Sequence, residues 1–458
     1  MPQISRHFLT IAASGTKPRR TVHYRRCGSG PLLLLVHQSP RSSAEYEDLM
    51  RRWSHSFTCI APDSPGFGQS DPLPGVPDVG DFADAIVEFL DILGVSRCCA
   101  YGFHSGGIIL AHLLKRHPDR LSALAIGGYA IWTAEEMRTF GERYIPEFHP
   151  KPYGEHLAWL WNRILEQSWF FPWFDPRDET RLSGAHADPN RVNAIVMEML
   201  DAGNAYRFGY RAVLLAPGEV PPPDADTAPV LLSAYRGDPL GAHLDRIDQL
   251  PKNWRAEKVE TPADHQDLSF AFLRDHAEGA CPALAEDDDA GFVAVGDGLI
   301  HWRGTRGARN MVLHAPGAEL TEPSPGILAI DVPGHGLSSN FANYPAAIEA
   351  ARIALGASKV LWPALPLGDP EILYPDLTPD RFGGYLQRAW SVARALVMFA
   401  PWYAADPKHA ISVEQNALID EAIALRARAL LRAGQSAATW HHEIASHLKW
   451  NQDHDRHE

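Results

Sequence analysis

The chain has 458 residues, 45% apolar and 21% charged, a composition that fits a soluble globular protein long enough for two domains. Its net charge of −14 argues against general nucleic-acid binding, which needs basic surface. No apolar run reaches about 18 residues and the start, Met1-Pro2-Gln3-Ile4, has no apolar core, so neither a membrane span nor a signal peptide is expected. Cys27, Cys59, Cys98, Cys99 and Cys281 form no CxxC pair, which suits reduced thiols in a cytoplasmic protein.

In chain order, residues 1–30 read as an opening hairpin, with Thr21-Val22-His23-Tyr24 alternating and Gly28-Ser29-Gly30 turning the chain. Pro31 to Val36 is a continuous apolar run, the pattern of a buried parallel strand. It ends in His37-Gln38-Ser39-Pro40, and helix-like sequence follows from about Ser43 to Trp53. Phe57 to Ala61 reads as the next strand and runs into Pro62-Asp63-Ser64-Pro65-Gly66-Phe67-Gly68-Gln69-Ser70-Asp71. Phe82, Ile86, Phe89, Leu90 and Leu93 fall at helical spacing. A short strand then turns into a helix through Gly102-Phe103-His104-Ser105-Gly106. Residues 133–220 hold an aromatic cluster and helical patterns without a clear strand. Alternation resumes with Pro229 to Ala234, Gly237-Asp238-Pro239, Arg255 to Val259 and His265. Strands alternating with helices at these lengths imply a parallel sheet covered on both faces.

Five features together resemble the α/β-hydrolase fold with a helical cap, in the layout of epoxide hydrolases and haloalkane dehalogenases. They are the HxxP loop at His37, the PDxPGxGxSD stretch at Pro62, the strand-to-helix elbow, Gly237-Asp238-Pro239 and His265. The resemblance covers residues 1–277, with the cap at about 133–220, and implies the order nucleophile, acid, His. This chain departs from it at the elbow tip. The residues two before and two after the tip must be small, and Gly102 and Gly106 put His104 there. With Ser105 at the tip, Phe103 would occupy one of the small positions.

Residues 290–458 read as a degenerate, truncated copy after a linker at 278–289. Ile330-Asp331-Val332-Pro333-Gly334-His335-Gly336 echoes Pro62-Asp63-Ser64-Pro65-Gly66-Phe67-Gly68. Gly154, Trp161, Pro172 and Trp173 recur at one constant offset as Gly383, Trp390, Pro401 and Trp402, a second cap-like segment at about 380–445. Pro366 falls at the elbow tip of the copy, so the copy is expected to lack the chemistry.

The site expected from the resemblance is a His104, Asp238, His265 constellation, with Asp238 orienting His265 and two imidazoles facing one substrate. Backbone N–H groups of Ser39 and Ser105 would line an oxyanion hole, and His37 and Gln38 would border it. Imidazole is largely neutral near pH 7 and acts as a base without activation, so a cofactor-independent hydrolase or lyase for a small organic molecule is the favoured reading. A serine hydrolase using Ser105, and a non-catalytic ligand-binding protein, are the alternatives. Zinc held by His37, His104 and His265 is the least favoured option, and no metal is assigned. No nucleic acid or membrane partner is expected, and the second half offers a surface for a homodimer.

Overall fold

The computed structural model describes residues 2–15, 17–216, 218, 220–279, 282 and 284–454. Cys281 and part of the expected linker lie outside these residues. The chain forms two compact units. One comprises Met1–Phe148, Arg163–Ala187 and Ala194–Glu286; the other comprises His149–Asn162, Asp188–Asn193 and Asp287–Glu458.

The first unit is built on an eight-stranded sheet in the order β1-β2-β4-β3-β5-β6-β7-β8. The strands are β1 (Ser5–Ile11), β2 (Arg20–Cys27), β3 (Leu32–Val36), β4 (Thr58–Pro62), β5 (Cys98–Phe103), β6 (Leu121–Gly127), β7 (Val230–Tyr235) and β8 (Trp254–Val259). β1 and β2 form an antiparallel pair, β2 is antiparallel to β4, and β3 to β8 are mutually parallel. β3 explains why the run Leu32-Leu33-Leu34-Leu35-Val36 has no polar member. Successive side chains point to opposite faces, and both faces are covered. Leu32, Leu34 and Val36 pack in one core layer, and Leu33 and Leu35 in the other. Burying each of these leucines contributes about 2 kcal/mol.

The covering helices are α1 (Glu47–Trp53), α2 (Val79–Ile92), α3 (Ser105–Arg116) and, near the end of this unit, α8 (Pro262–Asp275). α2 starts at a capping box, Asp78 with Asp81, and buries Phe82, Ile86, Phe89 and Leu90 against the sheet. Between β6 and β7 the chain is helical: α4 (Ala134–Tyr144), α5 (Glu155–Gln167), α6 (Pro189–Ala202) and α7 (Tyr206–Leu214). No helix among the described residues is long and apolar enough to cross a membrane.

The second unit holds a five-stranded sheet of β9 (Ala290–Val295), β10 (Gly298–Gly304), β11 (Asn310–Leu313), β12 (Leu328–Ile330) and β13 (Lys359–Leu361), ordered β13-β11-β12-β10-β9. Its helices are α9 (Tyr344–Leu355), α10 (Pro370–Leu373), α11 (Gly384–Ala395), α12 (Asp420–Ala433) and α13 (Ser436–His454). Within this unit the segment that opens α5 packs on α11. The missing Cβ of Gly154 would lie 2.9 Å from Trp390 Cγ, and that of Gly383 would lie 2.4 Å from Trp161 Cγ. Only glycine lets backbone and indole approach so closely, at both positions with positive φ.

Candidate active site

The elbow between β5 and α3 positions the site. His104 sits at its tip with φ 47° and ψ −115°, the one described non-glycine residue with positive φ. Such a conformation costs about 1–3 kcal/mol and persists only where the surroundings enforce it. The His104 backbone N–H donates to Gly127 O at 2.8 Å, and its carbonyl accepts the first α3 hydrogen bond from Ile108 N at 3.1 Å. The flanking glycines leave no alternative residue. A Cβ on Gly106 would stand 1.9 Å from Val36 O, and one on Gly102 would stand 2.6 Å from Gly106 C. The strained residue is therefore His104, with Ser105 opening the helix behind it.

His104 Nε2 donates to Asp238 Oδ1 at 3.0 Å, with side-chain exposures of 20% and 0%. Leu240 N also donates to Asp238 Oδ1, at 2.9 Å, and Oδ2 is buried without a hydrogen-bond partner. Burial pushes the Asp238 carboxyl up, but the charge and hydrogen bond of His104, together with the Leu240 N–H and the His265 ring, hold the group below its usual range. An ionised carboxylate accepts, so Nε2 carries the proton and Nδ1 of neutral His104 holds the free lone pair. Phe103 stacks on the imidazole at 4.0 Å and 22° and fixes its plane. Gly128 (φ +59°) makes the room: a Cβ there would lie 2.3 Å from His104 Cδ2 and 2.7 Å from Asp238 Oδ2.

This geometry corrects the expected pairing. Asp238 engages His104, and His265 has different partners. His265 lies in the first turn of α8, with Nε2 at 2.8 Å from Tyr101 Oη and Nδ1 at 2.8 Å from Ser233 Oγ. Burial drives its pKa down to about 4 against the opposing pull of Asp238. It is a neutral core histidine beneath the elbow, and the physical reason is that Tyr101 on β5 and Ser233 on β7 satisfy both ring nitrogens. His37 is corrected too. It is buried, Nε2 accepts from Ser64 N at 2.9 Å, and Nδ1 donates to Gln38 O at 3.0 Å. It holds the loop after β3 and touches no ligand space, so His37, His104 and His265 do not share a common point for a metal.

One of the two expected oxyanion donors differs. Ser39 N donates to Ser105 Oγ at 2.6 Å, so that N–H is occupied. The Ser105 hydroxyl proton stays free to donate, and among the described residues no imidazole hydrogen-bonds to that oxygen. Gln38 is clamped by Glu45, which accepts from its side-chain and backbone nitrogens at 2.5 and 3.1 Å. Glu45, Tyr101, Ser233 and Gly128 carried no signal in the sequence beyond their residue types.

His104 and Ser105 open into a cavity of about 190 Å³. Gln38 and Ser39 border it on the elbow side, and Trp132, Phe140, Tyr144, Phe171 and Tyr210 form an aromatic wall. The aromatic residues of the helical segment at 133–220 split: Phe171 faces the cavity, whereas Trp161 packs near Gly383. Such a small, largely apolar space with few polar groups suits a small organic ligand.

A family model described as alpha/beta hydrolase fold matches residues 31–269, just over half of the chain. Haloalkane dehalogenase 2 of Mycobacterium bovis is 33% identical over 120 residues, 26% of this chain and 42% of that protein. A 2-(acetamidomethylene)succinate hydrolase of Mesorhizobium japonicum is 40% identical over 101 residues, 22% of this chain and 36% of that protein. The chain thus spans less than half the length of these curated relatives. A solved structure of a thermophilic esterase from Thermogutta terrifontis aligns with a TM-score of 0.44 at 18% identity, covering 59% of this chain and 99% of that one.

Proposed function

The chain belongs to the α/β-hydrolase fold family, and from that premise we propose that it hydrolyses a small organic substrate with a His104–Asp238 dyad in place of a serine triad. The observation that carries this is the 3.0 Å bond from the imidazole at the strained elbow tip to a buried carboxylate. The reading is coarser than any one substrate: the matching relatives are named as a haloalkane dehalogenase and a 2-(acetamidomethylene)succinate hydrolase.

In the reaction, His104 Nδ1 takes a proton from a water molecule as that water's oxygen bonds to the substrate's electrophilic carbon. The imidazolium so formed is stabilised by the Asp238 carboxylate, as in triads where the acid stays ionised. The electron pair displaced from the substrate moves to its oxygen or leaving group. Ser105 Oγ–H, polarised by the Ser39 N–H behind it, donates to that developing negative charge. The imidazolium then returns its proton to the leaving group, which restores neutral His104. Water and substrate balance the equation, and no cofactor enters. Four free, buried thiols support a reducing, cytoplasmic setting.

For residues 290–458 we propose a truncated, non-catalytic copy of the first sheet. Its support is pairwise. The order β13-β11-β12-β10-β9 repeats β5-β3-β4-β2-β1 with the same directions. Asp331 accepts from His301 at 2.7 Å as Asp63 does from His23 at 2.8 Å. Trp402 Nε1 donates to Leu373 O as Trp173 Nε1 does to Tyr144 O. The region after β13 holds Pro366 where the elbow would turn, and a proline ring carries no nucleophile or base.

The test is turnover. Full-length protein is assayed against p-nitrophenyl esters, 1,2-epoxides and haloalkanes, with the His104→Gln variant beside it. Hydrolysis of at least one class that vanishes in the variant supports the dyad. Equal turnover by the variant rejects it.

A further inference from the structure

One buried charge in the first unit has no counter-ion among the described residues. Arg163, in α5, is 1% exposed, yet no described carboxylate pairs with it. Its Nη1 donates to Gln167 Oε1 at 2.7 Å, while Nε and Nη2 are buried without an acceptor. Four rings surround the guanidinium: Trp173 at 5.4 Å, Tyr206 at 5.7 Å, and Tyr144 and Tyr210 at 5.9 Å. Ring faces attract a cation but leave its charge and its N–H donors unsatisfied. An unpaired buried charge is costly, and such a group persists where something else supplies the opposite charge.

That something has a place to sit. Tyr144, Gln167 and Tyr210 line the same cavity as His104, and Arg163 stands one side chain behind them. Because Gln167 Oε1 is held by Arg163, its amide N–H groups are left to donate elsewhere. Tyr210 stands in electrostatic contact with Arg163, Gln167 and Tyr144, so the wall is one polar group charged from behind. We propose that this wall is a carboxylate-recognition subsite, and that the substrate carries an anionic carboxylate at the end remote from the bond cleaved at His104. The carboxylate accepts from Gln167 and Tyr210, and Arg163 supplies the charge that balances it. The rest of the cavity is apolar, which fits an organic acid with a compact hydrophobic body. Arg163 is here a positioning and charge-balancing residue and touches no reacting atom.

This inference deepens the hydrolase reading and rests on the cavity being the substrate site, so its test is binding, measured without turnover. Phenylacetate and phenylacetamide are titrated calorimetrically into full-length wild-type protein and into His104→Ala. Phenylacetate is expected to bind about tenfold or more tightly than the amide in both. The preference is expected to vanish in Arg163→Met, to survive in Arg163→Lys, and to shrink in Gln167→Leu and Tyr210→Phe, which keep the proposal testable if Arg163→Met does not fold. A purely structural Arg163 would leave the ratio of the two affinities unchanged. Equal affinity of the wild type for acid and amide, binding of neither, or a preference that survives Arg163→Met overturns the proposal. Carboxylate preference without any hydrolytic turnover would leave this subsite standing and sink the hydrolase reading alone.

Discussion

Replacing Asp238 with Asn asks how much the dyad contributes. Asn keeps the size of the side chain and an oxygen that accepts from His104 Nε2, so the 3.0 Å contact and the Leu240 cap survive. What is lost is the charge that stabilises the imidazolium. At that separation, with an effective dielectric constant near 20, the attraction is about 5 kcal/mol. Part is offset by water reaching the 20%-exposed imidazole, so the loss in the transition state is about 3–5 kcal/mol. At about 1.4 kcal/mol per decade, kcat/KM falls by about 10² to 10⁴. The variant should fold, because Asp238 Oδ2 makes no hydrogen bond that Asn would break. Turnover of the best substrate from the hydrolysis panel is compared across pH, with circular dichroism and Tm as controls on the fold. A folded Asp238→Asn with kcat/KM within about threefold of wild type would refute the claim that the carboxylate serves His104.

Other expectations follow from the same contacts. His265, held down to about 4, is neutral in the folded chain where the unfolded histidine charges near 6.5, so the unfolded state binds the extra proton as pH drops. Its contribution is intact above about pH 6.5 and is lost on falling to pH 4, about 3 kcal/mol in all; His265→Gln should flatten the acid limb of a urea-denaturation series, and an unchanged slope would contradict its neutrality. Gly106→Ala drives a Cβ to 1.9 Å from Val36 O and should cost about 3 kcal/mol or more, or prevent folding, as read by expression and thermal melts. Trp161→Ala and Trp390→Ala each empty an indole site that is at most 2% exposed, so each should lower stability by about 3–5 kcal/mol in chemical denaturation. A markedly smaller loss at either would mean that the pocket collapses around the gap.

The sheet and the elbow were readable in the chain because both are written in local terms. Leu32 to Val36 has no polar residue because both faces of β3 are covered, and Gly102 and Gly106 mark His104 as the tip through sterics that act within a few residues. The partners were not readable. Whether Asp238 meets His104 or His265 depends on where side chains from β5, β7 and α8 point, and no sequence spacing encodes that. Tyr101 and Ser233, which capture His265, look like ordinary strand residues. Arg163 is the sharpest case: on a helix rich in polar residues it reads as surface, and only packing reveals that it is buried without a counter-ion. Asp331 and Gly336 could be matched to Asp63 and Gly68 by eye, because a turn that demands glycine and a fixed carboxylate tolerates little drift.

The most direct test of the imidazole-driven reaction sets His104 against Ser105 in one experiment. Wild type, His104→Ala and Ser105→Ala are assayed on the same substrate, and wild type is treated with a fluorophosphonate and examined by mass spectrometry. The dyad predicts background turnover in His104→Ala, reduced but measurable turnover in Ser105→Ala, and no phosphonylated serine. Phosphonylation of Ser105, together with turnover that survives in His104→Ala and disappears in Ser105→Ala, would make this a serine hydrolase and contradict the account.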